Sequence, residues 1–174
     1  NAMESQTPHQ QPVNPHGNLG SEVDEERSLW WAPDGCEFED VTWRPKSYAK
    51  DVEPQGVIIA THGLSGCTDD FIPLTRTACE YGWLLTALEM RGQGRDRRKN
   101  SRGDIPSHKT WIQDVLAFAM NAQRDYPHAP IVLLGESLGA AITMHVAATL
   151  SQHESQDSKE GMPKLRKAVK GVAL

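Results

Sequence analysis

Ile131-Val132-Leu133-Leu134-Gly135-Glu136-Ser137-Leu138-Gly139-Ala140-Ala141-Ile142 places an apolar run, a G-x-S-x-G turn and an apolar helical stretch in direct succession. The run at 131–134 shows no polar alternation and predicts a strand buried on both faces. Residues 140–150 are apolar nearly all round and predict a buried helix. The turn between them decides the fold. Glycine at 135 and 139 removes the Cβ clashes of a tight strand-to-helix turn, which lifts the Ser137 hydroxyl off the backbone. The same turn sets the Leu138 N–H at a helix N-terminus, where the dipole favours a developing negative charge. Ser137 is therefore the candidate nucleophile and the Leu138 amide a candidate oxyanion donor. A glycine-rich loop that merely packs is the competing reading.

Upstream, Val57-Ile58-Ile59-Ala60-Thr61 is a second central-strand pattern and ends in His62-Gly63-Leu64. The Leu64 N–H is the candidate second oxyanion donor. His62 is expected to order this loop by hydrogen bonding, not to act as the base. Thr68 or Asp69 can cap a helix over 70–81, in which Phe71, Leu74, Thr75 and Ala78 share a face before Gly82 stops it. Residues 83–88 form the next strand, followed by a loop at 91–96. Thr110 with Gln113 reads as a capping box, Ile112, Val115, Leu116, Ala119 and Met120 as the apolar stripe, and Pro127 as the end of that helix. Residues 38–44 read as an early, possibly antiparallel strand, 151–162 as a polar loop, and 168–174 as a further strand. The alternation predicts an α/β fold: a mainly parallel, doubly wound sheet flanked by helices.

Composition limits the function classes. The 174 residues carry a formal net charge of −5 and no dense Lys/Arg tract, so nucleic acid is not an expected partner. The longest apolar runs fall far short of the ~20 residues of a membrane-spanning helix. Asn1-Ala2-Met3 reads as a tag scar before a start methionine, and residues 4–27 are too polar to build a core, so 1–28 are expected to be a disordered tail and 29–174 the ordered unit. No signal-peptide pattern is visible and a cytoplasmic location is expected. Cys36, Cys67 and Cys79 are expected as free thiols, Cys79 on the apolar face of its helix. The histidines lack ligand spacing, so neither a metal nor an organic cofactor is expected.

Three segments in this order, His62-Gly63-Leu64, Glu89-Met90-Arg91-Gly92-Gln93-Gly94 and Gly135-Glu136-Ser137-Leu138-Gly139, resemble the α/β-hydrolase superfamily. Within it they are similar to the monoacylglycerol lipase, lysophospholipase and serine aminopeptidase group. The resemblance covers roughly residues 56–150. It implies Ser137 as nucleophile, the Leu64 and Leu138 amides as the oxyanion hole, and a small or lipid-like ester as substrate. Arg91 is then a loop-stabilising ion-pair donor. The family's usual loop begins with Asp and continues R-G-H-G-x-S, where this chain has Glu89, Gln93 and Asp96, and Ala140 stands where many relatives carry Gly. In this fold the acid and base follow the nucleophile as Asp or Glu, then His. His145, His153 and Asp157 stand too close behind Ser137 to fill those places. The chain is therefore expected to be the N-terminal part of the fold, incomplete at its C-terminal end and inactive alone. An inactive hydrolase-like binding module, or a peptidase, thioesterase or acyltransferase on the same fold, are the alternatives. Ser137 at the elbow disfavours a nucleophilic-Asp relative.

Overall fold

The computed structural model describes residues 22–96, 103, 105, 107–152 and 161–174. Six strands form one sheet in the order β1-β2-β4-β3-β5-β6: β1 Val23–Trp31, β2 Glu37–Pro45, β3 Gly56–Thr61, β4 Trp83–Leu88, β5 Ile131–Gly135 and β6 Val169–Ala173. β1, β2 and β4 pair antiparallel, while β4, β3, β5 and β6 run parallel. The helices are α1 Ile72–Glu80, α2 His108–Asp125, α3 Leu138–Gln152 and α4 Met162–Ala168.

Alternation along the strands sorts side chains into two cores, because successive residues of a strand point to opposite faces. Val57, Ile59, Leu84, Leu88, Ile131 and Leu133 pack with Val115, Phe118, Ile142, Val146 and Leu165 from α2, α3 and α4. Ala60, Leu85, Ala87, Val41 and Trp43 pack on the other face with Phe71 and Ala78 of the α1 region. Helices therefore cover both faces of a mainly parallel sheet, as the sequence pattern predicts.

Several local expectations need correction. The tail boundary at residue 28 falls inside β1, because nine backbone pairings with β2 hold a segment whose composition is that of a tail. Only Trp30 of β1 is buried, and four of its nine residues, Asp24, Glu25, Glu26 and Arg27, carry the charge that edge strands use to discourage further pairing. Residues 1–21 lie outside the described residues. Ser107, not Thr110, caps α2 by accepting from the Lys109 N–H at 3.2 Å. The buried stripe of α2 centres on Val115, Phe118, Ala119 and Ala122, with Ile112, Leu116 and Met120 at its flank. Thr68 spends its hydroxyl on Glu89 instead of a cap, and a 3-10 turn Thr68–Phe71 precedes α1. Leu74 is 46% exposed and lies off the buried face. α3 buries only the stripe Gly139, Ile142, Thr143, Val146 and Leu150, with Met144 exposed on its other side. The expected loop at 151–162 loses both ends to helices, since α3 runs to Gln152 and α4 begins at Met162. Residues 153–160 lie outside the described residues.

All three cysteines stand as free thiols, with Cys79 buried on α1 and Cys36 and Cys67 half-buried. Burial pushes the Cys79 thiol up to about 11. Because the thiolate is the reacting species, Cys79 should react with a disulfide-exchange reagent at pH 8 at least ~100-fold more slowly than the other two. Counting fast and slow thiols in native protein, and all three in denaturant, checks this. Three equally fast thiols in the native protein would contradict the burial.

Candidate active site

The site is built where two neighbouring parallel strands end. β3 pairs with β5 so that Thr61 stands opposite Gly135, which brings His62-Gly63-Leu64 beside Glu136-Ser137-Leu138. The Glu136 N–H donates to Thr61 O at 3.1 Å and continues this pairing into the turn. Gly139 seals it. A Cβ there would collide with Thr61 O and lie 2.6 Å from His62 O, so the first turn of α3 rests directly on the backbone of the neighbouring strand end. Gly135 has the same constraint on the other side, where a Cβ would fall 2.5 Å from Ala140 Cα.

Ser137 occupies the apex with φ 51, one of two non-glycine residues among those described that enter the left-handed region. Such a conformation costs on the order of 1–2 kcal/mol for an L-residue and persists only when surroundings impose it. The residue is exposed. Its carbonyl accepts from Ala140 N at 3.1 Å and Ala141 N at 3.3 Å, which fixes the bend at the start of α3. Leu138 is the first residue of α3, so its N–H is one of the orphan donors of a helix N-terminus.

Across the gap, the loop after β3 is held in a tight turn. Gly66 N donates to Gly63 O at 3.1 Å, and Ser65 has φ 62 with its N–H bonded to Gln93 Oε1 at 3.1 Å. Leu64 between them is 66% exposed. Gln93, a departure from the family loop, is thus the residue that holds the Leu64 turn. His62 is fully buried and bound on both ring nitrogens: Nε2 accepts from Met90 N–H at 3.0 Å and Nδ1 lies 2.9 Å from Gly63 O. An amide donor on Nε2 requires the neutral ring with its proton on Nδ1. His62 therefore braces this loop against the one after β4.

That second loop is anchored by Glu89 and Arg91. Glu89 is 1% exposed and accepts from Thr68 N at 3.1 Å, Thr68 Oγ1 at 2.9 Å and Arg95 N at 2.9 Å. Burial opposes its charge, but the surrounding donors outweigh that and hold the carboxyl below its usual range. Gly94, with φ 53, leaves room for it, since a Cβ there would strike Glu89 Oε2. Arg91 is 3% exposed and grips two carboxylates. Its Nε and Nη2 reach Asp114 at 2.9 and 3.1 Å, and its Nη1 and Nη2 reach Asp34 at 2.7 and 3.0 Å. The guanidinium also lies 5.0 Å from the Phe38 ring centroid. These hydrogen bonds, with Asp114 first, raise the Arg91 pKa, and Arg91 draws that of Asp34 well below the carboxylate range. Asp34 and Asp114 were not singled out by sequence. The available signal for Asp114 was a carboxylate on the stripe of Val115 and Phe118, a position that demands a buried partner.

His145 sits exposed on α3, and His153 and Asp157 lie outside the described residues. Among the described residues, no three His, Cys, Asp or Glu side chains come together as a metal would need, and no helix is long and apolar enough to cross a membrane.

The family described as serine aminopeptidase, S33, matches residues 52–161. The monoglyceride lipase of Rattus norvegicus is 26% identical over 113 residues, 65% of this chain and 35% of that protein. The monoacylglycerol lipase of Mycolicibacterium smegmatis is 27% identical, over 61% of this chain and 35% of that protein. The chain spans about a third of the length of the curated relatives it matches. Among solved structures, a thermostable carboxyl esterase from Bacillus coagulans superposes with a TM-score of 0.63 at 20% identity, covering 74% of this chain and 41% of the other. A lidless α/β serine hydrolase from Xanthomonas campestris gives 0.57 at 20% identity, covering 81% and 60%. The fold is thus a partial α/β-hydrolase fold.

Proposed function

The chain belongs to the serine aminopeptidase S33 family, and from that membership we propose that it is the nucleophile-bearing part of a serine hydrolase acting on carboxylic esters of small or lipid-like character. The observation that carries this reading is the left-handed, exposed Ser137 on a strand-to-helix turn beside the Leu64 turn. A serine is forced into such a conformation at a cost, and strain of this kind concentrates where a side chain must be presented.

In this mechanism the Ser137 Oγ attacks the ester carbonyl while its proton passes to a base. The carbonyl oxygen becomes an oxyanion to which the Leu64 and Leu138 N–H groups donate, and the C–O bond to the alcohol breaks as the base returns the proton to the leaving oxygen. Water then cleaves the acyl-enzyme by the same route. The hydrogen bonds on both ring nitrogens support His62 as a loop brace and not the base, and in this reading the base and its acid partner lie outside residues 1–174. Without an oriented imidazole the serine hydroxyl is a poor nucleophile at neutral pH, so the 174-residue chain alone is proposed to be inactive.

Treatment of the full-length protein with a fluorophosphonate probe tests the assignment. Stoichiometric labelling that peptide mapping places on Ser137, and its loss in the 174-residue chain, is the expected result. A folded full-length protein that takes no label at Ser137 would point to the alternative, a hydrolase-like module that binds without chemistry.

A further inference from the structure

Glu136 is the carboxylate of the elbow itself, and its side chain folds back over the loop after β3. Glu136 Oε2 occupies the space where a Cβ on Gly63 would stand, with Glu136 Cδ 3.0 Å and its carbonyl oxygen 3.3 Å from that point. Gly63 precedes Leu64, so the carboxylate lies about one peptide unit from the Leu64 N–H. The residue is exposed. Among the described residues no hydrogen bond or ion pair neutralises it. The described cations of the loop after β4 are already committed, Arg91 to Asp34 and Asp114, and Arg95 to Asp69. Glutamate at this position is thus a charge without an ion pair among the described residues, at the rim of the proposed oxyanion hole, and glycine at 63 is what leaves it room there.

A fixed negative charge beside that hole has a chemical cost, because it opposes the oxyanion that forms on the substrate. A substrate that carries its own positive charge near the scissile carbonyl offsets this cost, and one that carries a negative charge deepens it. We propose that Glu136 determines substrate charge, so that the preferred esters bear a cationic group within a few bonds of the scissile carbonyl and anionic esters are rejected. The inference rests on Ser137 as nucleophile and deepens that reading by naming a class of substrate. At a distance of several ångströms in a partly solvated cleft, one unit of charge is expected to change kcat/KM about five- to tenfold, and to do so less at high salt.

The test compares three esters of one acyl group on the full-length protein: a choline ester, its uncharged isostere with carbon in place of the quaternary nitrogen, and an isostere carrying a carboxylate. Active sites are counted by fluorophosphonate labelling. The wild-type protein is expected to favour the cation over the neutral ester and the neutral ester over the anion. Glu136→Gln is expected to reduce the cation-to-anion ratio of kcat/KM about tenfold or more. Raising salt should compress that ratio in the wild type and leave it unmoved in the variant. A ratio that Glu136→Gln leaves within about twofold, or a wild-type preference that salt does not touch, overturns the proposal while Ser137 labelling still stands. Absence of label on wild-type Ser137 overturns the nucleophile instead. The salt series needs only the wild type, so the proposal is judged even where the variant does not fold.

Discussion

Ser137→Ala in the full-length protein lowers kcat for a short-chain nitrophenyl ester by on the order of 10^4-fold or more, with KM changed by less than about threefold. The expected size follows from the nature of the step. Without the Oγ no acyl-enzyme forms, and what remains is the modest help of a bound substrate facing the two amides. Alanine carries the same Cβ as serine and meets the same strain at φ 51, so stability should move by less than about 1 kcal/mol. Loss of turnover without loss of folding separates the chemical role from a structural one. Turnover that persists in a well-folded Ser137→Ala protein sinks the assignment, whichever ester is used.

Gly139→Ala destabilises the protein by about 3 kcal/mol or more, as read from the urea midpoint. A new Cβ would collide with Thr61 O and stand 2.6 Å from His62 O and 2.7 Å from Thr61 C, all backbone atoms of the central strand end. Overpacking typically costs 1–3 kcal/mol where side chains can yield, and main chain paired on both sides yields less. Gly35→Ala provides the contrast. Gly35 has φ 81 with nothing within 4 Å of its Cβ position, so only the conformational cost of about 1 kcal/mol applies. Equal midpoints for the two variants would show that α3 does not rest on β3 as tightly as the turn requires.

The contrast between these glycines also shows what sequence conveys. The turn at 135–139 was legible because its constraint is local: strand, glycine, serine, glycine and helix lie within a few residues, and the pattern carries its own geometry. The same holds for β3 and for the strand-ending His62-Gly63. Arg91 was legible as a loop support, yet its partners Asp34 and Asp114 lie 57 and 23 residues away in the chain, and no spacing rule spans such separations. β1 escaped because pairing with β2, not its own side chains, makes it a strand. α4 escaped because seven residues with a proline in second place offer too short a period to read, although Leu165 at its centre is fully buried. The placement of Glu136 over Gly63 could not be read either, since it depends on two strand ends being neighbours in the sheet.

The two grips of the Arg91 guanidinium are unequal, for the Asp114 side chain is 6% exposed and the Asp34 side chain 49%. Ions and solvent reach the outer carboxylate freely and the inner one hardly at all. The β1–β2 hairpin, to which Asp34 belongs, is consequently fastened by a clasp that brine loosens, whereas the tie to α2 is shielded from it. High salt is therefore expected to weaken the hairpin's hold on Arg91 before that of α2.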